Sequence, residues 1–395
     1  MSEDRQPVWF LVMFALAAGG GAVAYVPLLT VLLPLKITAM VGTEDVPTLA
    51  RVAFFGAVFA SIANIAFGIL SDRSKSRLPW VVAGLISSNL LLFAIGGAST
   101  VIELIVLIMA WQIGLNMMLS PLLAWAGDCF PDSQKGLLGG ALAFAPALGG
   151  LAGSLVTFEA LVGVQFRLSL VAILVTSMVL PAVIFGRNRV RPHLMRDAPV
   201  QAEAGANVTQ PRAVLIRMWL ARFLVQISEA GLFAFLLFWL RSLSEGFHEN
   251  TAANIFSTVL VVSVPLALLL GRWSDRRARP IAPLTFCAGI SAAGLLIMAS
   301  SSTIDWAIAG YIVFGIAASI FLSLHTGQTL RVLPNPRHRG RDMGIFNLTN
   351  TVPSLVMPGL TLTLVPGFGF TALFALFAGL AALAAVLLAT IAVRR

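Results

Sequence analysis

Apolar residues along this chain come in long unbroken runs, not in the alternation of a half-buried strand or the single stripe of a surface helix. The runs cover about 8–34, 50–70, 79–98, 101–126, 137–159 and 165–186. After a polar stretch at 187–212, six more cover about 213–240, 252–271, 281–300, 304–330, 343–365 and 367–393. Each is close to the roughly 20 residues that a helix needs to cross a bilayer core. A helix is the form expected, because it satisfies its own backbone hydrogen bonds where no water is available. The pattern therefore predicts an all-α polytopic membrane protein with twelve transmembrane helices. We divide it into an N-terminal six-helix bundle at 1–186, a cytoplasmic linker at 187–212 and a C-terminal six-helix bundle at 213–395. The first run is too long for a signal peptide, lacks a small-residue cleavage site and follows the acidic start Ser2-Glu3-Asp4, so we read it as a span.

The polar punctuation between runs repeats. Gly-Ile-Leu-Ser-Asp-Arg begins at Gly68 and Gly-Arg-Trp-Ser-Asp-Arg begins at Gly271, 203 positions further on. PDSQKG from Pro131 is echoed at the same offset by PNPRHRG from Pro334. Two matches at one offset, each between apolar runs, indicate an internal duplication of six spans, a plan on which many secondary transporters are built.

Composition agrees with the bilayer. The chain is 58% hydrophobic and 11% charged, with a mean hydropathy of +0.92, whereas a soluble domain carries about 25% charged residues. With the N-terminus placed inside, the inner loops collect Arg73, Lys75, Arg77, Lys135, Arg187, Arg189, Arg191, Arg196, Arg212, Arg217, Arg272, Arg276, Arg277, Arg279, Arg331, Arg337, Arg339, Arg341, Arg394 and Arg395. The outer loops hold Lys36, Arg51, Arg167 and Arg241. This asymmetry puts both termini in the cytoplasm of a bacterial-type inner membrane. The net charge of +9 is then topological, and with no basic soluble domain a nucleic-acid partner is excluded. Cys129 and Cys287 form no disulfide framework, and no zinc spacing, P-loop, nucleophile elbow or HExxH motif occurs. The chain reads as neither an enzyme nor an ATP-driven pump, and no metal or cofactor is expected.

GILSDRSKSR at 68–77 resembles the loop 2–3 motif of the major facilitator superfamily, usually G-x-x-x-D-R-x-G-R-R, and the resemblance extends to the span count, the central linker and the weaker copy GRWSDRRARP at 271–280. It implies a gating role for Gly68, Asp72 and Arg73, with Gly271, Asp275 and Arg276 as the second set. In that family the Asp caps a neighbouring helix and the Arg pairs with an acid at the inner end of span 4, a place that Asp128 occupies here. It also implies a fold that works as a monomer, with spans 1, 4, 7 and 10 lining a central cavity. A narrower resemblance, in SDRSKSRLPWVVAG at 71–84, DCFPDSQKGLLGGALAFAPALGG at 128–150 and RVLPNPRHRGRDMGIFNLTNTVPSLVMP at 331–358, is to the sucrose-transporter-like and glycoside–pentoside–hexuronide branches. Those branches move sugars or glycosides with protons or sodium. Span 2 carries Ser61 and Asn64 but no carboxylate after Arg51, which points to a proton as the coupling ion.

Ionisable groups at membrane depth are costly and mark function by default. Glu229 stands twelve residues past the interfacial Arg217, or roughly 18 Å along a helix and near the midplane. Arg222, Gln226 and Glu229 share a face at i, i+4 and i+7. This stripe is the proton-coupling candidate, with Arg222 as exchange partner and His325 as the alternative proton carrier; a structural Arg–Glu clasp is the competing reading. Amides and aromatics suited to a sugar site are Tyr25, Asn64, Trp111, Gln112, Asn116, Gln226, His325, Gln328, Asn347 and Asn350. Trp111 and Trp239 are read either as stacking rings or as interfacial aromatics, and the amides either as ligands or as interhelical hydrogen bonds. The functional expectation is a transporter of a small solute, a sugar or glycoside, by proton-coupled alternating access. Proton-driven efflux of amphipathic compounds is the alternative, and a transport-free scaffold the third.

Overall fold

In a computed structural model, described for residues 6–74, 76–130, 134, 138, 141–142, 144–159, 162–163, 166–186, 212–244, 246–277, 279, 281–332 and 339–392, every extended element is helical. The elements are α1 (Val8–Pro27), α2 (Leu33–Val41), α3 (Asp45–Arg73), α4 (Leu78–Gly97), α5 (Val101–Cys129), α6 (Ala145–Val156), α7 (Arg167–Phe185), α8 (Arg212–Leu243), α9 (Glu249–Arg277), α10 (Ala282–Ser300), α11 (Ile304–Val332) and α12 (Arg339–Ala392). Ten described helices or joined helices are long and apolar enough to cross a membrane. The fifth apolar run is represented by the shorter α6. The last counts as one but is broken at Gly369, whose φ of 70° and ψ of −178° suit only glycine. That break turns α12 into the two successive spans expected from the apolar pattern.

The first span runs further than the apolar run predicted. Its helix continues past 34 to Val41, passing through a π-helical turn at Leu28–Leu32. Pro27 lies immediately before that turn. A proline has no N–H to donate and its ring crowds the carbonyl four residues back, which loosens the ladder there. Thr30 Oγ1 donates to the Val26 carbonyl at 2.7 Å. At the start of α5, Thr100 accepts from the Glu103 N–H, while the Glu103 carboxylate accepts from the Ser99 N–H at 2.9 Å. Glu103 is therefore a helix-capping residue.

Burial is inverted relative to a soluble protein. Ile62, Ile65, Leu90, Phe93, Ile173, Phe286 and Val386 are exposed, while Gln112, Asn116, Ser228, His325 and Thr349 are buried. An apolar exterior of this extent needs a bilayer around it, and the chain is an integral membrane protein.

The chain forms two compact units. One comprises Met1–Pro199 with His248–Ser257, and the other Val200–Phe247 with Thr258–Arg395. In the first unit α1 packs on α6 and α7, and α5 packs on α3 and α4. In the second, α12 packs on α8 and α10, and α11 packs on α10 and α8. Each unit uses glycine to bring two helices together at backbone distance. A Cβ on Gly84 of α4 would strike the backbone of Met118 on α5, and one on Gly294 of α10 would strike the backbone of Phe314 on α11.

Candidate functional site

In the first unit the polar candidates form one connected cluster across α3 and α5. Asn64 Nδ2 donates to Asn116 Oδ1 at 3.2 Å, and Asn116 Nδ2 donates to the Gln112 carbonyl at 2.9 Å and to Gln112 Oε1 at 3.4 Å. Ser120 Oγ donates to the Asn64 carbonyl at 2.9 Å. The i, i+4, i+8 spacing of Gln112, Asn116 and Ser120 lines them up on the face of α5 that meets α3. The cluster carries no formal charge. Tyr25 is half-buried on α1. Trp111, read either as a stacking ring or as an interfacial aromatic, is fully buried on α5, and its Nε1 has no hydrogen-bond partner. Trp239 is likewise buried, edge-on to Phe374 at 4.6 Å between ring centroids.

In the second unit the polar interior is charged. Arg222 Nε donates to Thr349 Oγ1 at 3.1 Å, Nη1 to the Leu322 carbonyl at 3.0 Å and Nη2 to Asn350 Oδ1 at 3.1 Å. One guanidinium thus ties α8 to α11 and α12. Glu229, half-way along α8, accepts from Gln226 Nε2 at 2.7 Å. Arg222 and Glu229 remain in electrostatic reach of each other. These Arg222 bonds run to the neighbouring helices. An i, i+7 pair sits two turns apart, about 10 Å, so any third helix closer than that competes for the guanidinium. Tyr311 on α11 is buried and feels the charge of Glu229. Sequence reasoning passed over Tyr311; the available signal was its rarity, since the chain has two tyrosines and both lie inside spans.

His325 is fully buried on α11, with Nε2 2.9 Å from the Met218 carbonyl and its ring against Phe321. It stands here as a brace between α11 and α8. Gln328 is buried one turn further on. The side chains of Asn347 and Asp275 lie outside the described residues.

The motif at 68–77 holds an ion-pair network, but through a different arginine. Arg77 Nη1 bonds Asp72 Oδ1 at 2.5 Å and Ser71 Oγ at 2.7 Å, and Arg77 Nε bonds Asp128 Oδ2 at 3.0 Å. Arg73, the expected partner of Asp128, is exposed. It ends α3 one residue after Asp72, and a helix turns about 100° per residue, so its Cβ points away from the Asp72 side. Arg77 arrives from the start of α4 and is 11% exposed, against 66% for Asp72. Asp72 makes no cap on α4, whose N-cap is unfilled by any side chain; its carboxylate is taken by Arg77. Both motif glycines sit where one helix meets another. A Cβ on Gly68 would lie 3.2 Å from Ser120 Oγ, and one on Gly271 would lie 3.3 Å from a Leu324 methyl.

A further polar cluster belongs to the first unit and was not expected. Arg167, placed in an outer loop by the basic-residue pattern, instead opens α7 and is 3% exposed. It pairs with Glu249 at 3.1 Å and with the exposed Glu159 at 3.6 Å. Asn250 Nδ2 donates to the Ser154 carbonyl at 2.9 Å and to Thr157 Oγ1 at 3.0 Å, and the Ser154 and Ser257 hydroxyls are 2.8 Å apart. These partners are distant in sequence, and no periodicity links them.

A family model described as Major Facilitator Superfamily matches residues 45–335 and, in an overlapping second match, 218–395. No curated protein matches the chain by sequence. Among solved structures, a POT family transporter in complex with 5-aminolevulinic acid is similar with a TM-score of 0.75 at 14% identity, over 98% of this chain and 97% of that one. A POT family transporter in complex with a thioalcohol-conjugated peptide is similar with a TM-score of 0.76 at 13% identity, again over 98% and 97%. At such identity these likenesses speak for the fold.

Proposed function

The chain belongs to the major facilitator superfamily, and from that premise we propose that it carries a small polar solute across the cytoplasmic membrane by proton-coupled alternating access, with Glu229 as the proton carrier. It is a transporter and not an enzyme. The observation that supports the coupling is the placement of Glu229: a carboxylate midway along a membrane-spanning helix, accepting a hydrogen bond from a neutral amide at 2.7 Å. A carboxylate in such a place is held at considerable cost, and the cost falls when it takes up a proton. Arg222 supports a coupled cycle because its bonds reach α11 and α12. A change in charge on Glu229 alters the field at a group that joins three helices. Both termini and the linker lie on the cytoplasmic side, as the basic residues suggest, and the protein works as a monomer.

For the solute, the neutral amide cluster of Asn64, Gln112 and Asn116 and the resemblance to glycoside carriers favour a sugar or glycoside. The opposite charges of Arg222 and Glu229 on one helix favour a second reading, a zwitterionic amino compound, in keeping with the 5-aminolevulinic acid bound by one structural neighbour. Thermal shift of the purified protein across sugars, glycosides and amino acids decides between them, since a ligand that binds the native state stabilises it by mass action.

The coupling is tested in proteoliposomes. Glu229→Gln keeps the shape of the protonated side chain. It is expected to bind solute and to exchange it between equally loaded compartments, but to lose accumulation driven by a proton gradient. Wild-type accumulation by this variant would remove Glu229 from the mechanism.

A further inference from the structure

The second copy of the duplicated motif has lost the partners that make the first an ion-pair network. At the repeat offset, the position of Arg77 is taken by Pro280 and that of Asp128 by Arg331. The copy has gained cations instead. Arg272, Arg276, Arg277 and Arg279 all lie within eight residues at the end of α9, with Asp275 as the one acid among them, and all four are exposed. The chain is folded back there. The Arg279 N–H donates to the Ser274 carbonyl at 3.1 Å, and Ser274 Oγ donates to the Arg279 carbonyl at 3.1 Å, which keeps Arg279 beside the last helical turn.

The arginines continue an apolar surface. Leu269, Arg272, Trp273 and Arg276 follow one another at i, i+3, i+4 and i+7 and share one face of α9. Leu269 is 59% exposed and Trp273 41% exposed. Arg277 stands over the Trp273 ring with its Cζ 6.0 Å from the centroid. Along the helix this face passes from an exposed leucine to an exposed indole to a row of guanidiniums. That is the order in which a phospholipid presents its acyl chain, its glycerol region and its phosphate. Indoles settle at the interface, and guanidiniums pair phosphate oxygens in a two-pronged geometry.

We propose that this end of α9 is a binding site for an anionic phospholipid, with Arg276 and Arg277 on the headgroup phosphate, Trp273 at the glycerol level and Leu269 against the acyl chain. The divergence of the repeat then has a chemical content: one copy ties three helices together, and the other holds the protein to its lipid.

The test uses the full-length protein and phosphatidylglycerol as the probe. Retention of phosphatidylglycerol by the purified protein is followed by native mass spectrometry for the wild type, Arg276→Gln/Arg277→Gln and Arg51→Gln, the last removing an exposed cation from the other end of a different span. The double variant is expected to bind phosphatidylglycerol about 30-fold more weakly, from about 1 kcal/mol for each basic residue at an anionic surface, with Arg51→Gln at the wild-type level. Equal retention by the double variant, or equal loss in Arg51→Gln, overturns the site. Inorganic phosphate is added as a competitor; displacement of the lipid by phosphate at equal concentration would reassign the site to free anions and overturn the lipid reading. A measurement that does not depend on the folding of the double variant uses wild-type protein in vesicles containing acyl-brominated phosphatidylglycerol or acyl-brominated phosphatidylcholine at equal mole fraction. Tryptophan quenching is expected to be stronger with the brominated phosphatidylglycerol, and the excess to vanish in Trp273→Phe. Equal quenching by the two lipids overturns the proposal.

Discussion

The two units of this protein place their charges in opposite positions. In the first, the interior cluster of Asn64, Gln112, Asn116 and Ser120 is neutral, and the ion pairs sit at helix ends, at Arg77 with Asp72 and Asp128, and at Arg167 with Glu249. In the second, Arg222 and Glu229 are inside the helix bundle, and the corresponding helix-end motif has Pro280 and Arg331 where the first has Arg77 and Asp128. The shared features are those of packing. Gly84 and Gly294 bring helices to backbone contact, and Gly68 and Gly271 meet a side chain of the next helix but one. Duplication thus preserved the close contacts, where one added methyl group is felt, and let the charges diverge, where the bilayer tolerates a charge only if it is partnered or useful.

The most damaging test of this contrast is Arg222→Gln. Three charge-assisted hydrogen bonds joining α8, α11 and α12 are removed, and a loss of about 3 kcal/mol or more in stability is expected. Thermal unfolding in detergent should show it, with transport lost in parallel and partial recovery in Arg222→Lys. If Arg222→Gln unfolds no earlier than Asn116→Ala, the interior of the second unit is no more charge-dependent than that of the first.

Next comes Arg77→Ala. It breaks the partly buried network with Asp72 and Asp128 at the start of α4, and transport should slow by roughly tenfold, the equivalent of about 1.4 kcal/mol, while solute affinity stays within a few fold. Arg73→Ala should leave transport at the wild-type level. If Arg73→Ala slows transport as much as Arg77→Ala, the network drawn from the structure is not the one that operates.

The smallest effects are expected in the neutral cluster. Gln112→Ala and Asn116→Ala should each weaken solute binding by about 1 kcal/mol if they lose a neutral hydrogen bond to it. Isothermal titration with the solute identified by thermal shift measures this. Unchanged affinity in both would make the amides a helix-to-helix seam, leaving the recognition to the second unit alone.

The sequence by itself determined the helical class, the run of spans and their approximate ends. A membrane span must be continuously apolar for a fixed length, so composition alone reveals it. The break between the last two spans fell within four residues of its predicted place, at Gly369, where a positive φ that glycine alone takes without strain interrupts the helix. The place of Glu229 half-way along its helix was equally legible, since distance along a helix is a count of residues. Partnership was not. That Arg77 and not Arg73 holds Asp128, that Arg222 reaches Thr349, Leu322 and Asn350, and that the supposed loop residue Arg167 is buried against Glu249 were decided by the tertiary structure. Periodicity reports which face of one helix is polar. Which neighbour that face meets depends on how several helices pack, and the partners lie 51 to 128 residues away along the chain.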